Sequence, residues 1–288
     1  SWLAVDQPRV HQFKYDRVGN LTLWETPAGT VEQRHYDQRG QMAEQVIHRG
    51  EDQILIRRQY VYDATGKVTE IRDSHRGRSD FTFDELGRLI HAQTPSGNER
   101  RVAYNAAGDR VSDDLEYAAG HRVVRAGHQQ LAYDERGFLV QRRSAAGTDA
   151  MTYTAHGLLK SLQRGAADRV DYAYDGLGRL IRTTAPVTRR SYCWNNNELW
   201  LTLENDESAH EFVYLPQETH PCEQRSHGQS YSVHTDHLGR VLELIDDEGN
   251  VAWSDSSDLW ADGRLGSDNS SMNLSCPITL PGQLWDPE

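Results

Sequence analysis

The sequence predicts an all-β fold, in which a long antiparallel β-sheet of hairpins coils into a hollow, barrel-like shell. Three observations predict it: a repeat with a period near 21 residues, strand-type alternation on both sides of each repeat's turn, and a polar composition. The hydrophobic fraction is 37% and the mean hydropathy is −0.76, low values for 288 residues that fill a solid core. A thin wall wetted on both faces needs fewer apolar residues, so we expect a shell with a wet, moderately polar interior.

The repeat is a turn sequence of the form aromatic-Asp-x-x-Gly, found in eight copies. Successive glycines are 21, 26, 21, 21, 29, 20 and 21 residues apart, which is too short for propeller blades of about 40 residues. The copies contain Tyr15, Asp16 and Gly19; Tyr36, Asp37 and Gly40; Tyr62, Asp63 and Gly66; Phe83, Asp84 and Gly87; Tyr104, Asn105 and Gly108; Tyr133, Asp134 and Gly137; Tyr153, Thr154 and Gly157; and Tyr174, Asp175 and Gly178.

Each copy reads as strand, tight turn and strand. The Asp side chain can accept hydrogen bonds from amides further round the turn, and the glycine can take a positive φ. Apolar residues stand two positions before the aromatic and two after the glycine in seven of eight copies each, with Arg34 and Arg110 as the exceptions. This period of two predicts strands with one covered face. Because strands twist, many such hairpins in series should coil.

The chain divides by the clarity of the repeat. Residues 1–190 form the hairpin array, and residues 191–288 continue the shell with a looser register. In this second part residues 191–216 and 231–253 alternate as strands, whereas residues near 217–229 and 254–275 match no repeat and are expected to be loops. No segment has the periodicity of a helix.

Composition and charge exclude several classes of function. The net charge is −12, which argues against a nucleic-acid groove. No apolar run approaches the ~18 residues of a membrane span. Cys193, Cys222 and Cys276 lack metal-ligand spacing, so we expect buried or idle thiols.

Residues that carry chemistry elsewhere are explained more simply as structure. His234, Asp236 and His237 form the best metal-like trio, but strand alternation separates His237 from the other two, and we expect a structural turn. The acidic residues 246–248 lack the ligand series of a calcium loop. Carboxylate pairs are uninformative in so acidic a chain, and the sequence lacks a G-x-S-x-G motif. We therefore predict no enzyme activity, no cofactor and no metal.

The repeats resemble the YD repeats of rearrangement-hotspot (Rhs) proteins, insecticidal toxin-complex shells and animal teneurins. A later segment is similar to the Rhs signature H-x-D-x-L-G followed by D-x-x-G-x-x-x-W, and the last residues are similar to the start of the segment that closes the Rhs core. The signature residues are His234, Asp236, His237, Gly239, Gly249, Trp253, Gly282, Gln283 and Asp286.

The resemblance implies a protein that encapsulates a C-terminal toxin. Rhs shells are cocoons that sequester a toxin until a secretion apparatus, such as the type VI system, delivers it to a rival or host cell. The implied partners are the toxin cargo, other shell segments, and a secretion spike or chaperone. The implied location is the bacterial cytoplasm before export and the target cell afterwards. This sequence ends at Glu288, before the family's self-cleavage region would begin, so we expect a shell fragment.

Two other functions remain open at this stage. Aromatic and glycine repeats near 20 residues also build modules that bind carbohydrate or cell wall, although five tryptophans (194, 200, 253, 260 and 285) lie outside the eight clear repeats. Teneurin-like adhesion is the weaker alternative. Saturable binding of choline or a glycan would favour a binding module, whereas co-purification with a toxin segment would favour the shell.

Overall fold

The structure, a computed structural model, describes residues 9–50, 52–95, 97–165, 168–215, 220–255, 274–278, 280 and 283–285. Across these ranges the regular secondary structure is entirely β, which confirms the predicted fold class. None of the described residues forms a helix that is long and apolar enough to span a membrane.

Contacts between Cα atoms divide the chain into two compact units. The first unit contains residues 1–101, 218–224 and 229–285, and the second contains residues 102–217, 225–228 and 286–288. The boundary predicted at residue 190 marks the place where the repeat register loosens in the sequence. It stays a prediction.

The first unit is built from a nine-stranded antiparallel sheet and from the last strands of the chain. The nine strands are hydrogen bonded in sequence order. They are β1 (Gln12–Tyr15), β2 (Leu21–Glu25), β3 (Thr30–Tyr36), β4 (Met42–Arg49), β5 (Gln53–Tyr62), β6 (Val68–Asp73), β7 (Gly77–Phe83), β8 (Leu89–Gln93) and β9 (Glu99–Arg101).

The second unit repeats the same arrangement, with each strand antiparallel to the next along the chain. A short pair, β10 (Ala103–Tyr104) and β11 (Arg110–Val111), comes first. The longer series is β12 (Leu115–Ala118), β13 (Arg122–Ala126), β14 (Gln129–Tyr133), β15 (Leu139–Ser144), β16 (Gly147–Tyr153), β17 (Leu159–Arg164), β18 (Asp168–Tyr174), β19 (Leu180–Thr184), β20 (Arg189–Asn195), β21 (Glu198–Glu204) and β22 (Glu207–Tyr214).

One expected loop is a strand, and this expectation was wrong. Residues 221–226, within the segment 217–229 that matches no repeat, form β23 (Pro221–Ser226). The strand lacks alternation because even its polar side chains are buried and paired: Glu223 accepts from Arg9, and Gln224 Nε2 donates to the carbonyl of Ser275. Partners distant in the sequence therefore satisfy this strand, and a local pattern does not reveal it.

The remaining strands carry the signature residues. They are β24 (Gln229–Thr235), β25 (Val241–Asp246) and β26 (Val251–Ser254), which pair antiparallel in that order. Within the first unit, one face of β24 and β25 lies against the nine-stranded sheet, where Ile245 packs with Ile47 and Ile56. The opposite face of these strands covers a second cluster, which includes Tyr231, Leu244 and Trp253.

Candidate functional site

The eight repeat turns share one hydrogen-bonded geometry, in which the Asp side chain organises the backbone. In the turn of Asp175, Oδ1 accepts from the amides of Leu177 and Arg179, both at 2.9 Å. The amide of Gly178 donates to the carbonyl of Asp175 at 3.1 Å. Burial would raise the pKa of Asp175, but hydrogen bonds from the amide and guanidinium of Arg179 and from the amide of Leu177 outweigh it and hold this pKa below its ordinary value. The side-chain acceptor at the other seven turns is Asp16, Asp37, Asp63, Asp84, Asn105, Asp134 or Thr154.

The glycines of these turns have a second role that the sequence does not reveal. All eight have φ between 76° and 95°, the left-handed region that disfavours a side chain. In addition, the residue after one glycine reaches over the glycine of a later repeat. A Cβ on Gly157 would lie 2.6 Å from Phe138, and one on Gly87 would lie 2.6 Å from Lys67. These glycines therefore let neighbouring turns approach closely.

The aromatic residue of each repeat connects neighbouring hairpins. It pairs across its own hairpin with the residue two after the glycine, as Tyr62 does with Val68. In several repeats the tyrosine hydroxyl also reaches back to an earlier strand, as Tyr62 Oη does when it donates to the carbonyl of Met42 at 2.8 Å. Matching bonds run from Tyr36 to Leu21, from Tyr133 to Val123, from Tyr153 to Leu139, and from the indole of Trp194 to Leu180.

Two turns of the signature segment have the same geometry as the repeats. Oδ1 of Asp236 accepts from the amides of Leu238 and Arg240, at 2.8 and 3.0 Å, and Gly239 has a φ of 81°. Gly249 has a φ of 89° and donates to the carbonyl of Asp246. The structure therefore places these signature residues in a continuation of the turn array.

The other signature residues lie elsewhere in the first unit. Trp253 is buried, in the cluster that Tyr231 and Leu244 share. The amide of Gln283 donates to the carbonyl of Leu280 at 2.9 Å. Gly282 and Asp286 lie outside the described residues.

His234 lies at the centre of a buried polar chain. Its Nδ1 is 2.6 Å from Oε2 of Glu32, and its Nε2 is 3.0 Å from Oγ of Ser232. Burial would raise the pKa of Glu32, but Arg34 and His234 outweigh it and hold this pKa well below the ordinary range. The order Ser, His and Glu is that of a catalytic triad.

Burial argues against catalysis by this chain of residues. His234 is 0% exposed and Ser232 is 8% exposed. The first unit contains a large open cavity, which is described below, and none of these three side chains lines it. The hydroxyl of Ser232 also lies 3.2 Å from the carbonyl of Ile245, which gives it a structural partner. The arrangement positions strands and offers no approach to a substrate.

A second buried set of charges lies beside this chain. Arg58 is 0% exposed; its Nε donates to Asp73 at 2.6 Å, and its guanidinium pairs with Glu243. Arg76 donates to Glu243 at 3.1 Å and to the carbonyl of Leu242 at 2.7 Å. Burial would lower the pKa of Arg58, but Glu243 and Asp73 outweigh it and raise this pKa.

His237, the third member of the metal-like trio, points to a different partner. Its ring centroid lies 4.7 Å from that of Tyr60, and burial lowers its pKa. In the part of the chain that the structure describes, no group of three His, Cys, Asp or Glu side chains has metal-binding geometry. The described cysteines form no disulfide with one another, and Cys222 and Cys276 are buried.

The large cavity of the first unit has a volume of about 1790 Å³ and is open to solvent. Half-buried repeat aromatics line it, among them Tyr36, Tyr62 and Phe83, together with arginines such as Arg100. Its wall is therefore mixed in polarity.

Sequence reasoning did not identify Glu32, Gln45 and Arg58, the polar side chains of the nine-stranded sheet that meet the signature strands. One signal was available. Arg34 interrupts the otherwise apolar position of its repeat, and its guanidinium hydrogen-bonds Glu32. This exception to the repeat pattern therefore lies next to Glu32, the residue that contacts His234 of the signature strands.

Comparison with known proteins places these features in a family. The Teneurin YD-shell family model matches residues 1–106 and 97–288. Double-stranded DNA deaminase toxin A of Burkholderia cenocepacia is 26% identical over 84% of this chain and 19% of its own length. Mouse Teneurin-3 is 24% identical over 97% of this chain and 10% of its own length. The chain thus spans less than a fifth of these relatives.

Solved toxin-complex structures share the fold. The crystal structure of TcdB2-TccC3-TEV superposes with a TM-score of 0.68 at 16% identity, over 96% of this chain and 17% of that one. TcdB2-TccC3 without its hypervariable C-terminal region gives 0.59 at 15% identity, over 86% of this chain and 15% of that one. Since the family model covers the whole sequence, this chain belongs to the Teneurin YD-shell family.

Proposed function

We propose that this chain is a wall segment of a bacterial Rhs-type shell that encloses a polypeptide toxin. The observation that carries the proposal is the series of repeat turns with one geometry, in which aromatic side chains tie neighbouring hairpins together. Each unit builds antiparallel sheets from these hairpins, and the family model matches the chain from end to end. The cavity lined by repeat aromatics is consistent with an inner face that confines cargo.

The proposed role is containment without chemistry. The polar groups of the site are buried and paired with one another, which suits a wall better than a reaction centre. The proposed partners are the toxin cargo, further shell segments, and a secretion spike or chaperone. The proposed route begins in the bacterial cytoplasm and leads through a secretion system, such as type VI, into a competing or host cell.

Protection from proteolysis tests this function. We would treat the complete natural polypeptide that contains these residues with a nonspecific protease, before and after unfolding in urea. The proposal predicts that a C-terminal cargo segment survives in the folded protein and is digested after unfolding. Equal digestion of that segment in both states would contradict it.

The carbohydrate-binding alternative needs aromatic rings that a ligand can reach. Trp194 donates its indole N–H to a backbone carbonyl, and Trp24 and Trp253 are buried. Trp24 and Trp253 are therefore closed to a ligand, whereas Trp200 and Trp285 are exposed and are the rings that a carbohydrate would have to contact. Teneurin-like adhesion has support from the similarity to mouse Teneurin-3, and binding of the chain to an animal cell surface would favour it.

A further inference from the structure

The two surfaces that meet inside the first unit are mostly polar, unlike the facing surfaces of ordinary stacked sheets. On the nine-stranded sheet, Glu32, Gln45 and Arg58 lie on the contact face with Ile47 and Ile56. Glu32, Gln45 and Arg58 are each at most 1% exposed. Burying charged and amide groups is unfavourable unless each finds a partner, so such a surface tolerates few arrangements.

The signature strands supply matching groups. His234 and Glu243 are cross-strand neighbours on β24 and β25, and both are 0% exposed. Across the interface His234 meets Glu32, and Glu243 meets Arg58 and Arg76. Polar groups on one side thus meet polar partners on the other.

Among the described residues, no backbone-to-backbone ladder joins the nine-stranded sheet to the strands β24–β26, because the two belong to separate hydrogen-bonded sheets. The contact is made by side chains. The side-chain amide of Gln45 donates to the carbonyl of Thr235 at 3.0 Å, and Arg76 donates to the carbonyl of Leu242 at 2.7 Å. Side chains of the nine-stranded sheet therefore decide where β24 and β25 dock on it.

Apolar contacts do not fix this position either. Side chains of a strand alternate with a period of two, so a slip by two residues keeps the same face toward the sheet. Such a slip moves each side chain about 7 Å along the strand. Ile245 could still lie on apolar surface, but Glu243 would lose its contacts with Arg58, which is buried, and with Arg76, which is partly exposed.

We propose that the buried charges at this interface act as a register key, which selects one docked position of the signature strands. Arg58 and Arg76 recognise Glu243, and Glu32 recognises His234. This proposal concerns only how the signature strands dock on the nine-stranded sheet. It does not depend on whether the protein encloses a toxin. Buried polar groups set register in this way in other protein interfaces, at some expense of stability.

The first test removes the centre of the key without leaving a charge unpaired. The variant R58M/D73N/R76M/E243M loses two positive and two negative charges. Hydrogen–deuterium exchange of residues 229–246, followed by mass spectrometry, reports the docked state, and thermal unfolding reports stability. The proposal predicts a melting temperature close to wild type, because apolar replacements of buried ion pairs are often neutral or stabilising.

It also predicts two isotope envelopes for β24 and β25 in this variant, where the wild type shows one. A single envelope with wild-type protection would overturn the proposal. So would complete loss of cooperative unfolding, because the charges would then supply the stability of the unit and not its register.

The second test breaks the key on one side only. E243Q leaves Arg58 and Arg76 facing a neutral group, and we expect exchange of the amides of β25 to rise about a hundredfold. E116Q is the control, because Glu116 pairs with Arg125 in an exposed position of the other unit. Protection of β25 within threefold of wild type in E243Q would overturn the proposal.

Discussion

The imidazole of His234 lies 2.6 Å from the carboxylate of Glu32, and these two wholly buried residues are 202 positions apart in the sequence. One belongs to the signature segment and the other to an early repeat. Their contact joins strand β3 of the nine-stranded sheet to strand β24 of the signature segment. This finding gives the first residue of the signature motif a physical role, which is to position strands.

The same contact leads to a prediction about reactivity. Ser232, His234 and Glu32 are ordered like a catalytic triad, but burial keeps the serine from a substrate. We expect a fluorophosphonate probe to leave Ser232 unlabelled in the folded protein. Mass spectrometry of the labelled digest checks this, with trypsin under the same conditions as the positive control. Stoichiometric labelling of Ser232 would contradict the structural role.

A turn prediction separates backbone strain from side-chain hydrogen bonding. Gly178 has a φ of 80°, which a β-branched residue strongly disfavours. Asp175→Ala removes the acceptor of two backbone amides and of the Arg179 guanidinium at the surface, where water can replace them, and should destabilise only slightly. Gly178→Val should destabilise more, by up to about 3 kcal/mol. Thermal unfolding measures both, and melting temperatures equal to wild type in both variants would contradict the turn assignment.

The contact between neighbouring turns predicts a difference between two glycines with similar backbones. Asn tolerates a positive φ, so Gly40→Asn, with open space around its Cβ, should change stability little. Gly157→Asn places a Cβ against Phe138 and should lower the free energy of unfolding by about 1–3 kcal/mol.

The double variant Gly157→Asn/Phe138→Ala supplies the control for this contact. Its effects should be non-additive, because the alanine removes the ring that the new Cβ meets. Urea unfolding of wild type, Gly157→Asn, Phe138→Ala and the double variant gives the free energies of unfolding that this comparison needs. Equal losses for the Asn variants at positions 40 and 157 would show that only φ matters at these glycines.

His210 predicts how the second unit responds to acid. Burial, with a smaller contribution from His227, lowers the pKa of His210 to about 4 from an ordinary 6.5. Between these values the unfolded chain binds a proton that the folded chain does not. Stability should therefore fall as the pH drops from 6.5 to 4, by at most about 1.4 kcal/mol per pH unit.

Urea unfolding of wild type and His210→Gln at pH 7 and pH 4.5 measures this effect. The variant should lose less stability between the two pH values, since glutamine can still hydrogen-bond Ser226, the partner of His210 at 2.7 Å. His128→Gln, at an exposed turn, is the control. The same pH dependence in wild type and His210→Gln would contradict the prediction.

Local features of this fold could be predicted from the sequence, because they depend on neighbouring residues. Asp175 and Gly178 lie within one turn, and the strands on either side alternate. The contact of Phe138 with Gly157 could not be predicted, since it requires adjacent hairpins to be in phase. Glu32 and His234 could not be paired either, because nothing local relates residues so far apart. Strand β23 was missed for the same reason.

Electron cryomicroscopy of the complete natural polypeptide would show whether these hairpins form a wall around a cargo. We expect the hairpin array to form part of a curved wall, with polypeptide density on its concave side. A solid interior filled by the repeats' own side chains, with every other segment outside the wall, would contradict it.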